Sequence, residues 1–536
     1  MIATTPINIE QLKNDLSLHS DRQFVKYLID GLTYGFDTGI KVLPQKSLIC
    51  NNLKSALQEP DVVTELINTE VQKGYVMGPF RESPFKLFRI SPIGIATGKY
   101  SGKKRLIVDL SAPHDDGEHD SINNLIDKDE FSLKYVRIDD AMNTLLDLGA
   151  GSWMCKFDIA DAFKIIPMDP AIWHLYGIKW EGQYYFFKRL TFGCRSSPKI
   201  FDTLSRALCW IAQHKYKINH ILHLLDDFLT IDDPQCIKER NMAALSHLFG
   251  SLAVPISTKK TVGPVHVIEY LGIILDSVKM EARLPADKLT RITEIIDTYM
   301  GRKSITKREL LSLLGHLNFA CKVIIPGRSF VSHMIDLSTK VTKMTDYIHL
   351  SEMVCKELKM WKLFLSQWNG VALFLENNVT LAHDMHLFTD ASSTCGFGGY
   401  FKGKWFMGEW PVEIQQLNNK SVSMALLELY PIVIASLLWG ASWSRKRICF
   451  HCDNLATVHI LSKRRSKTPM IMKLMRRLTW LAAKHNFFIY SKHIPGVQND
   501  ISDALSRFQV NRFRQLAPEA EWLPHPIPNF SEVTLL

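Results

Sequence analysis

A chain of 536 residues has room for three or four ordinary domains. Hydrophobic residues make up 46% of it and charged residues 22%, which excludes a fibrous or wholly disordered chain and permits cores of normal size. The formal net charge of +10 favours a polyanionic partner without requiring one.

The opening Met1-Ile2-Ala3-Thr4-Thr5 has no basic region followed by an apolar run, so no secretory signal is expected. Residues 1 to about 60 read as a helical lead-in, with Leu12, Leu16, Phe24, Leu28 and Leu32 spaced for helix faces. From about 60 to 280, helices mix with short apolar strands. From about 285 to 375 the pattern turns helical, and Thr306-x-x-Glu309 is a capping box before Leu310, Leu311, Leu313, Leu314 and Leu317. From about 384 to 508 strands return, at Leu387–Thr389, Gly398–Phe401, Lys404–Met407 and Ile448–Cys452, with a long helix before the last. The proline-bearing stretch after 509 reads as loosely ordered. No apolar run is read as reaching the roughly 20 residues of a membrane span, so no membrane partner is expected. The ten cysteines form no framework and read as the reduced thiols of an intracellular protein, cytoplasmic or nuclear. Cys449 and Cys452 form a C-x-x-C on an apparent strand, but no second ligand pair lies nearby, which argues against zinc there.

The informative anomaly is carboxylates set into apolar strand patterns. One is Met154-Cys155-Lys156-Phe157-Asp158-Ile159-Ala160-Asp161-Ala162-Phe163. Another is Ile221-Leu222-His223-Leu224-Leu225-Asp226-Asp227-Phe228-Leu229, an apolar hairpin with two acids at its tip. A single Asp-Asp between apolar runs is usually a polar turn. Two such strands in order point to a shared cation, because buried unpaired carboxylates are costly and a hard divalent ion takes oxygen ligands. Between them, Leu190-Thr191-Phe192-Gly193-Cys194-Arg195-Ser196-Ser197-Pro198 is a glycine-centred turn leading into a helix, which lets backbone approach a flat ligand.

This ordered set resembles motifs A, B and C of the reverse transcriptase palm. The resemblance runs over roughly residues 75 to 280. It takes in Lys103-Lys104-Arg105-Leu106-Ile107-Val108-Asp109 as a fingers segment, Lys260 as the motif D lysine and Tyr270-Leu271-Gly272 as a primer grip. It implies that Asp158, Asp226 and Asp227 bind two Mg²⁺ ions, with Mn²⁺ as an alternative. It further implies that Arg105 and Lys103, helped by Lys99, contact the triphosphate. Asp161, Phe192, Gly193 and Lys260 would then belong to the nucleotide site, and Phe163 would exclude a 2′-hydroxyl. Phe192 departs from the glutamine usual in retroviral enzymes and matches gypsy-type and DIRS-like elements.

A second acidic series follows: His386-Leu387-Phe388-Thr389-Asp390, Leu426-Leu427-Glu428-Leu429, Cys449-Phe450-His451-Cys452-Asp453 and Asn499-Asp500-Ile501-Ser502-Asp503-Ala504-Leu505-Ser506-Arg507. Each acid alone reads as a cap or surface group. The ordered series resembles RNase H, which implies that Asp390, Glu428, Asp453 and Asp503 hold two further Mg²⁺ ions, with Asp500 competing for the last place. His493 aligns poorly with the family's loop histidine and is left out. Lys463, Arg464, Arg465 and Lys467 read equally as a phosphate track or a solvated face.

The resemblance therefore implies a mixed α/β and α+β multidomain chain. Its expected parts are a helical N-terminal extension over 1–60, right-hand polymerase fingers and palm over 61–280, a helical thumb or connection over 281–380, an RNase H-like mixed α/β domain over 381–508 and a loose tail over 509–536. The implied partners are an RNA template, a DNA primer, an RNA–DNA hybrid and dNTPs, and the oligomeric state stays open. Leu314-Gly315-His316-Leu317-Asn318-Phe319-Ala320 and Pro326-Gly327-Arg328 resemble the connector of DIRS-like, tyrosine-recombinase retrotransposons. Asp37-Thr38-Gly39 matches an aspartic-protease triplet, but the palm motifs follow too soon for a protease, and no integrase-sized segment follows the second series. The rival reading is a retroelement remnant that only binds nucleic acid.

Overall fold

Short runs of β-branched and aromatic residues between turn signals fold as strands, and the 3.6-period runs fold as the helices that cover them. A computed structural model describes residues 4–98, 102–114, 119–237, 239–367, 372–373, 386–417, 422–444, 446–464, 466, 468–485 and 487–534. The chain divides into two units, Met1–Tyr270 and Leu271–Leu536, and each mixes helices with sheet.

In the first unit, a four-stranded sheet runs in the order Val262–Val265, Trp153–Asp158, Asp227–Asp232, Ile221–Leu224. The helix Ser197–His214 packs beside Ile221–Leu224 and buries Ile200, Phe201, Leu204, Leu208 and Ile211, one apolar stripe at helical spacing. Phe157 and Phe228 both meet Phe249 edge-on, at 5.6 and 5.5 Å. A separate two-stranded hairpin pairs Ile93–Thr97 with Lys104–Val108. The lead-in is not a detached extension. Leu12, Leu16, Leu28 and Leu32 are buried in the same core as Phe157 and Phe228, and the Thr5 hydroxyl donates to the carbonyl of Ile165 at 2.7 Å. The Asp37-Thr38-Gly39 triplet is part of this packing: Thr38 is fully buried, and the Tyr176 hydroxyl donates to its Oγ1 at 2.7 Å.

The second unit opens on the short strands Ile273–Asp276 and Glu281–Arg283, and helices follow, including Ala286–Met300, Lys307–Ala320 and Glu352–Gln367. The capping box forms as the sequence predicts: Glu309 N donates to Thr306 Oγ1 at 3.3 Å and Thr306 N donates to Glu309 Oε2 at 2.8 Å. A five-stranded sheet follows in the order Lys404–Glu409, Gly396–Phe401, His386–Ala391, Arg447–Cys452, Phe488–His493. The first three strands pair antiparallel with one another, and His386–Ala391, Arg447–Cys452 and Phe488–His493 pair in parallel.

Two expectations are corrected here. Met424–Trp443 is, by length and composition, apolar enough to cross a membrane, but 78% of its apolar window is buried inside the unit. A helix between a sheet and a second helix, here Pro469–Lys484, is apolar on nearly every side for that reason. The stretch after 509 is not loosely ordered. The helix Val510–Leu516 anchors it through Phe513, which is fully buried against Trp405 at 4.9 Å, and Val533 enters the main core of the unit. Phe513, Ala517 and Val533 are fully buried, while Trp522 and Leu523 stay exposed.

Candidate active site

The first acidic cluster rests on one antiparallel ladder. Asp227 and Asp158 are direct register partners, so the end of one strand faces the start of the other. Asp226 sits in the tight turn before Asp227, where Leu225 takes a left-handed φ of 54°. That conformation costs a non-glycine residue about 1–3 kcal/mol and must be held from outside. The Ser205 hydroxyl donates to the carbonyl of Leu225 at 2.9 Å, and Ile159 N donates to the carbonyl of Asp226 at 3.0 Å. Helix and strand thus hold the turn from two sides. Asp158 is 5% exposed, and Lys260 Nζ lies 3.0 and 2.9 Å from its two oxygens. Burial, followed by repulsion from Asp158 and Asp227, pushes the Asp226 carboxyl above the usual range. Burial also raises Asp227, although Lys156 and Lys260 oppose it. Three carboxylates converge on one cationic side chain, an oxygen-only donor set that suits a hard divalent ion.

Around this cluster the structure gathers some of the expected nucleotide-site residues and places others elsewhere. Phe163 lies on a 3-10 turn, Ala162–Ile165, and not on a strand leaving the acids. The reason is Asp161, whose φ of 51° ends the extended run. Asp161 accepts from Lys73 Nζ at 2.8 Å and from the Tyr75 hydroxyl at 3.1 Å. Phe163 meets Phe192 at 4.9 Å, and Phe192 is 56% exposed. Gly193 has a φ of 91°, and a Cβ there would come within 2.9 Å of the Val108 carbonyl, so the turn needs glycine. Asn123 ties this turn down, donating to the carbonyl of Gly193 at 3.0 Å and accepting from Arg195 N at 2.8 Å. Arg105 is an exposed residue of the hairpin strand Lys104–Val108, and Lys103 precedes it. Lys99 lies outside the described residues. Lys260 sits against the acids, its Nζ paired with Asp158.

The comparisons with known proteins bear on this region. Residues 99–275 match the family described as reverse transcriptase (RNA-dependent DNA polymerase). Those residues are similar to a reverse transcriptase domain. All three carboxylates lie inside it. The Gag-Pol polyprotein of Avian reticuloendotheliosis virus is 23% identical over 279 residues, a match that takes in 50% of this chain and 22% of the polyprotein. Among solved structures, a foamy viral protease-reverse transcriptase in complex with dsDNA is similar at a TM-score of 0.49 and 15% identity, covering 92% of this chain and 98% of that one. The same viral protein in complex with RNA/DNA hybrid gives 0.48 and 14%, covering 92% and 63%.

A second acidic cluster lies beyond the reverse transcriptase domain, within the second unit. The parallel strands His386–Ala391 and Arg447–Cys452 pair Phe388 with His451, and the same register carried two residues further brings Asp390 level with Asp453. Both acids therefore stand at the carboxyl ends of parallel strands, where open sheets present ligand sites. Glu428, from the helix Met424–Trp439, joins them and is 1% exposed. Its Oε2 accepts from the Cys452 thiol at 3.9 Å. Burial, then repulsion from Asp390 and Asp453, pushes its carboxyl up to about 9. Asp390 is raised by burial in the same way, although the Ser506 hydroxyl donates to it at 2.5 Å. Asp503 is held by Arg507 Nε at 2.6 Å and Arg512 Nη1 at 2.8 Å, which keep it below the usual range against the opposing effect of burial. Asp390 feels the charge of Asp453 and Asp503, while Asp500 faces Arg512 at 2.7 Å.

Several contributors were not singled out in the sequence. Lys73, Tyr75 and Asn123 reach their sites through tertiary contacts and carry no motif of their own, and Cys452 stood out only as half of a C-x-x-C. Ser506 did have a signal, since it follows Asp503 by one short turn of the helix Asp500–Ser506. His493, left out on alignment, has Nε2 at 3.1 Å from the Asp453 carbonyl, beside the cluster but not on a carboxylate. Lys463 and Arg464 end the helix Leu455–Lys463, and Arg465 and Lys467 lie outside the described residues.

Proposed function

We propose that the chain is an RNA-directed DNA polymerase with a second, hydrolytic site that cleaves the RNA strand of an RNA–DNA hybrid. The single observation that carries the polymerase reading is the pairing of Asp158 with Asp227 on one ladder, Asp226 between the strands, inside the matched domain. The donor set fits Mg²⁺ or Mn²⁺: oxygen ligands only, partly desolvated, and balanced by one lysine. Divalent ions held by Asp158, Asp226 and Asp227 would lower the pKa of the primer hydroxyl and neutralise the triphosphate. The rest is done by the chain's own side chains. Arg105 and Lys103 attract the triphosphate. The αL turn at Asp161 is fixed by Lys73 and Tyr75, and presents the backbone that follows to the nucleotide. Phe163, braced by Phe192, closes the space beside C2′ of the sugar. Lys260, which pairs with Asp158 when no ion is bound, is displaced toward the incoming nucleotide when one is.

The hydrolytic reading rests on Asp390, Glu428 and Asp453 coming together at one end of the second sheet. Asp503 orients the outer edge through Arg507 and Arg512. A water held by these carboxylates is aimed at an RNA phosphate, and the ions they bind would activate it. The finer placement, among DIRS-like elements and within a longer polyprotein, rests on the connector segment around Leu314–Ala320. Primer extension on an RNA template, run beside cleavage of a labelled hybrid, tests both activities. The reading requires each to depend on its own set of acids.

A further inference from the structure

We infer that Cys452 makes the second acidic cluster a mixed oxygen–sulfur site that captures thiophilic divalent ions, Zn²⁺ or Cd²⁺, in competition with the hard ion of the hydrolytic reaction. The inference rests on the hydrolytic reading of this cluster for its consequence, but not for the binding itself.

The geometry is specific. One ligand atom each from Glu428, Cys452 and Asp453 lie within 4.8 Å of one another. The Cys452 sulfur is 3.9 Å from Glu428 Oε2. Bond lengths of about 2.3 Å to sulfur and about 2.1 Å to oxygen put the sulfur–oxygen edge of a zinc tetrahedron near 3.6 Å, so the Cys452–Glu428 edge closes with a shift of a few tenths of an ångström. The strand Arg447–Cys452 explains why this thiol, and not Cys449, is involved. Residues three apart on a strand point to opposite faces, so the C-x-x-C cannot close on one ion, and Cys452 alone is turned to the acids.

Two further observations point to a cation here. Glu428 is 1% exposed and, among the described residues, makes no ion pair with a lysine, arginine or histidine. Asn499 is 2% exposed and gives Nδ2 to the Thr389 carbonyl at 3.0 Å and to Asp390 at 3.4 Å, while its Oδ1 is buried with no partner in the protein. A buried acceptor beside three carboxylates is what the water shell of a bound ion would use.

The chemistry separates the ions. Mg²⁺ takes oxygen ligands at about 2.0–2.1 Å in octahedral geometry and has no use for a thiol. Zn²⁺ and Cd²⁺ favour sulfur. On their binding the Cys452 S–H and Glu428 O–H bonds break, sulfur–metal and oxygen–metal bonds form and both protons pass to solvent, with no change of oxidation state. The ion then occupies Glu428 and Asp453 and denies them to the hard ion.

The test is a Cd²⁺ titration of the metal-free full-length chain, followed by the near-ultraviolet charge-transfer band of cadmium thiolate. The wild type is expected to develop a saturable band that Cys395→Ser, which alters an exposed thiol of the same unit, retains. Cys452→Ser should lose that component and bind at least about tenfold more weakly, as should Glu428→Gln. Thermal melting confirms that each variant is folded. Cadmium NMR of the wild type reads sulfur coordination directly if Cys452→Ser does not fold. Identical titrations of wild type and folded Cys452→Ser, or a cadmium resonance with oxygen ligands only, overturn the inference. Hybrid cleavage in Mg²⁺ separates the two readings. A Cys452-dependent band without cleavage keeps the metal site and removes the hydrolytic reading. Cleavage that Zn²⁺ inhibits equally in wild type and Cys452→Ser, each relative to its own Mg²⁺ rate, keeps the hydrolytic reading and removes this one.

Discussion

The two acidic clusters bring carboxylates into register by different means. In the first unit, Asp158 and Asp227 are partners on an antiparallel ladder and Asp226 is in the adjoining turn, so one hairpin and its neighbouring strand suffice. In the second, Asp390 and Asp453 meet through a parallel pairing that needs a crossover, and Glu428 arrives from the crossover helix itself. The electrostatics differ as well. Lys260 sits on Asp158, whereas among the described residues only Asp503 of the second cluster is paired with cations. The first cluster is thus partly neutralised by the protein alone. The second is left to burial and mutual repulsion, and a divalent ion should matter more to its stability.

The largest effect that could break this comparison is on chemistry. Asp390→Asn should reduce hybrid cleavage by roughly a thousandfold or more while DNA synthesis stays near normal. Cleavage at the wild-type rate would place the hydrolytic site elsewhere. Next in size is pH. Because the Glu428 carboxyl is raised to about 9 in the folded chain, the folded state binds a proton that the unfolded state has lost above its ordinary pKa. Its contribution to stability is therefore full below about pH 4 and declines as pH rises toward 9, by at most about 2.7 kcal/mol between pH 6 and 8. In EDTA the melting temperature of the second unit should fall over that range, Glu428→Gln should flatten the fall, and Mg²⁺ should restore the wild type at pH 8. A fall that Glu428→Gln leaves unchanged would assign it to other groups. The smallest effect concerns the sugar. Phe163→Val should raise the ratio of rNTP to dNTP kcat/KM by at least about tenfold. An unchanged ratio in a folded, active variant would leave Phe163 as packing against Phe192 and Phe201 only.

How much of this was legible in the sequence follows the same division. Asp158 and the Asp226–Asp227 turn could be read because each acid interrupts an apolar strand locally. Asp390, Glu428 and Asp453 could be read only as an ordered series. Asp503 was preferred over Asp500 from its local run; in the structure Arg512 pairs with both, and Arg507 with Asp503. What escaped was contact at long range. Lys73 reaches Asp161 across 88 residues, and Asn123 reaches Gly193 across 70. Phe163 was expected on a strand because no turn residue marks Asp161, whose left-handed backbone is set by its partners. The tail after 509 was expected to be loose because of its prolines, yet Phe513, Ala517 and Val533 are fully buried. Met424–Trp443 was not expected to be long enough for a membrane span, since Glu428 and Pro431 interrupt the apolar run by eye without exposing it.

The most direct test of two independent sites is one preparation of Asp226→Asn assayed for both activities. The account predicts that RNA-templated extension falls by roughly a thousandfold or more, while cleavage of a preformed hybrid stays within about twofold of wild type, since Asp390, Glu428, Asp453 and Asp503 are all retained. Extension at a rate comparable to wild type, or loss of both activities in a variant that melts as wild type does, would contradict it.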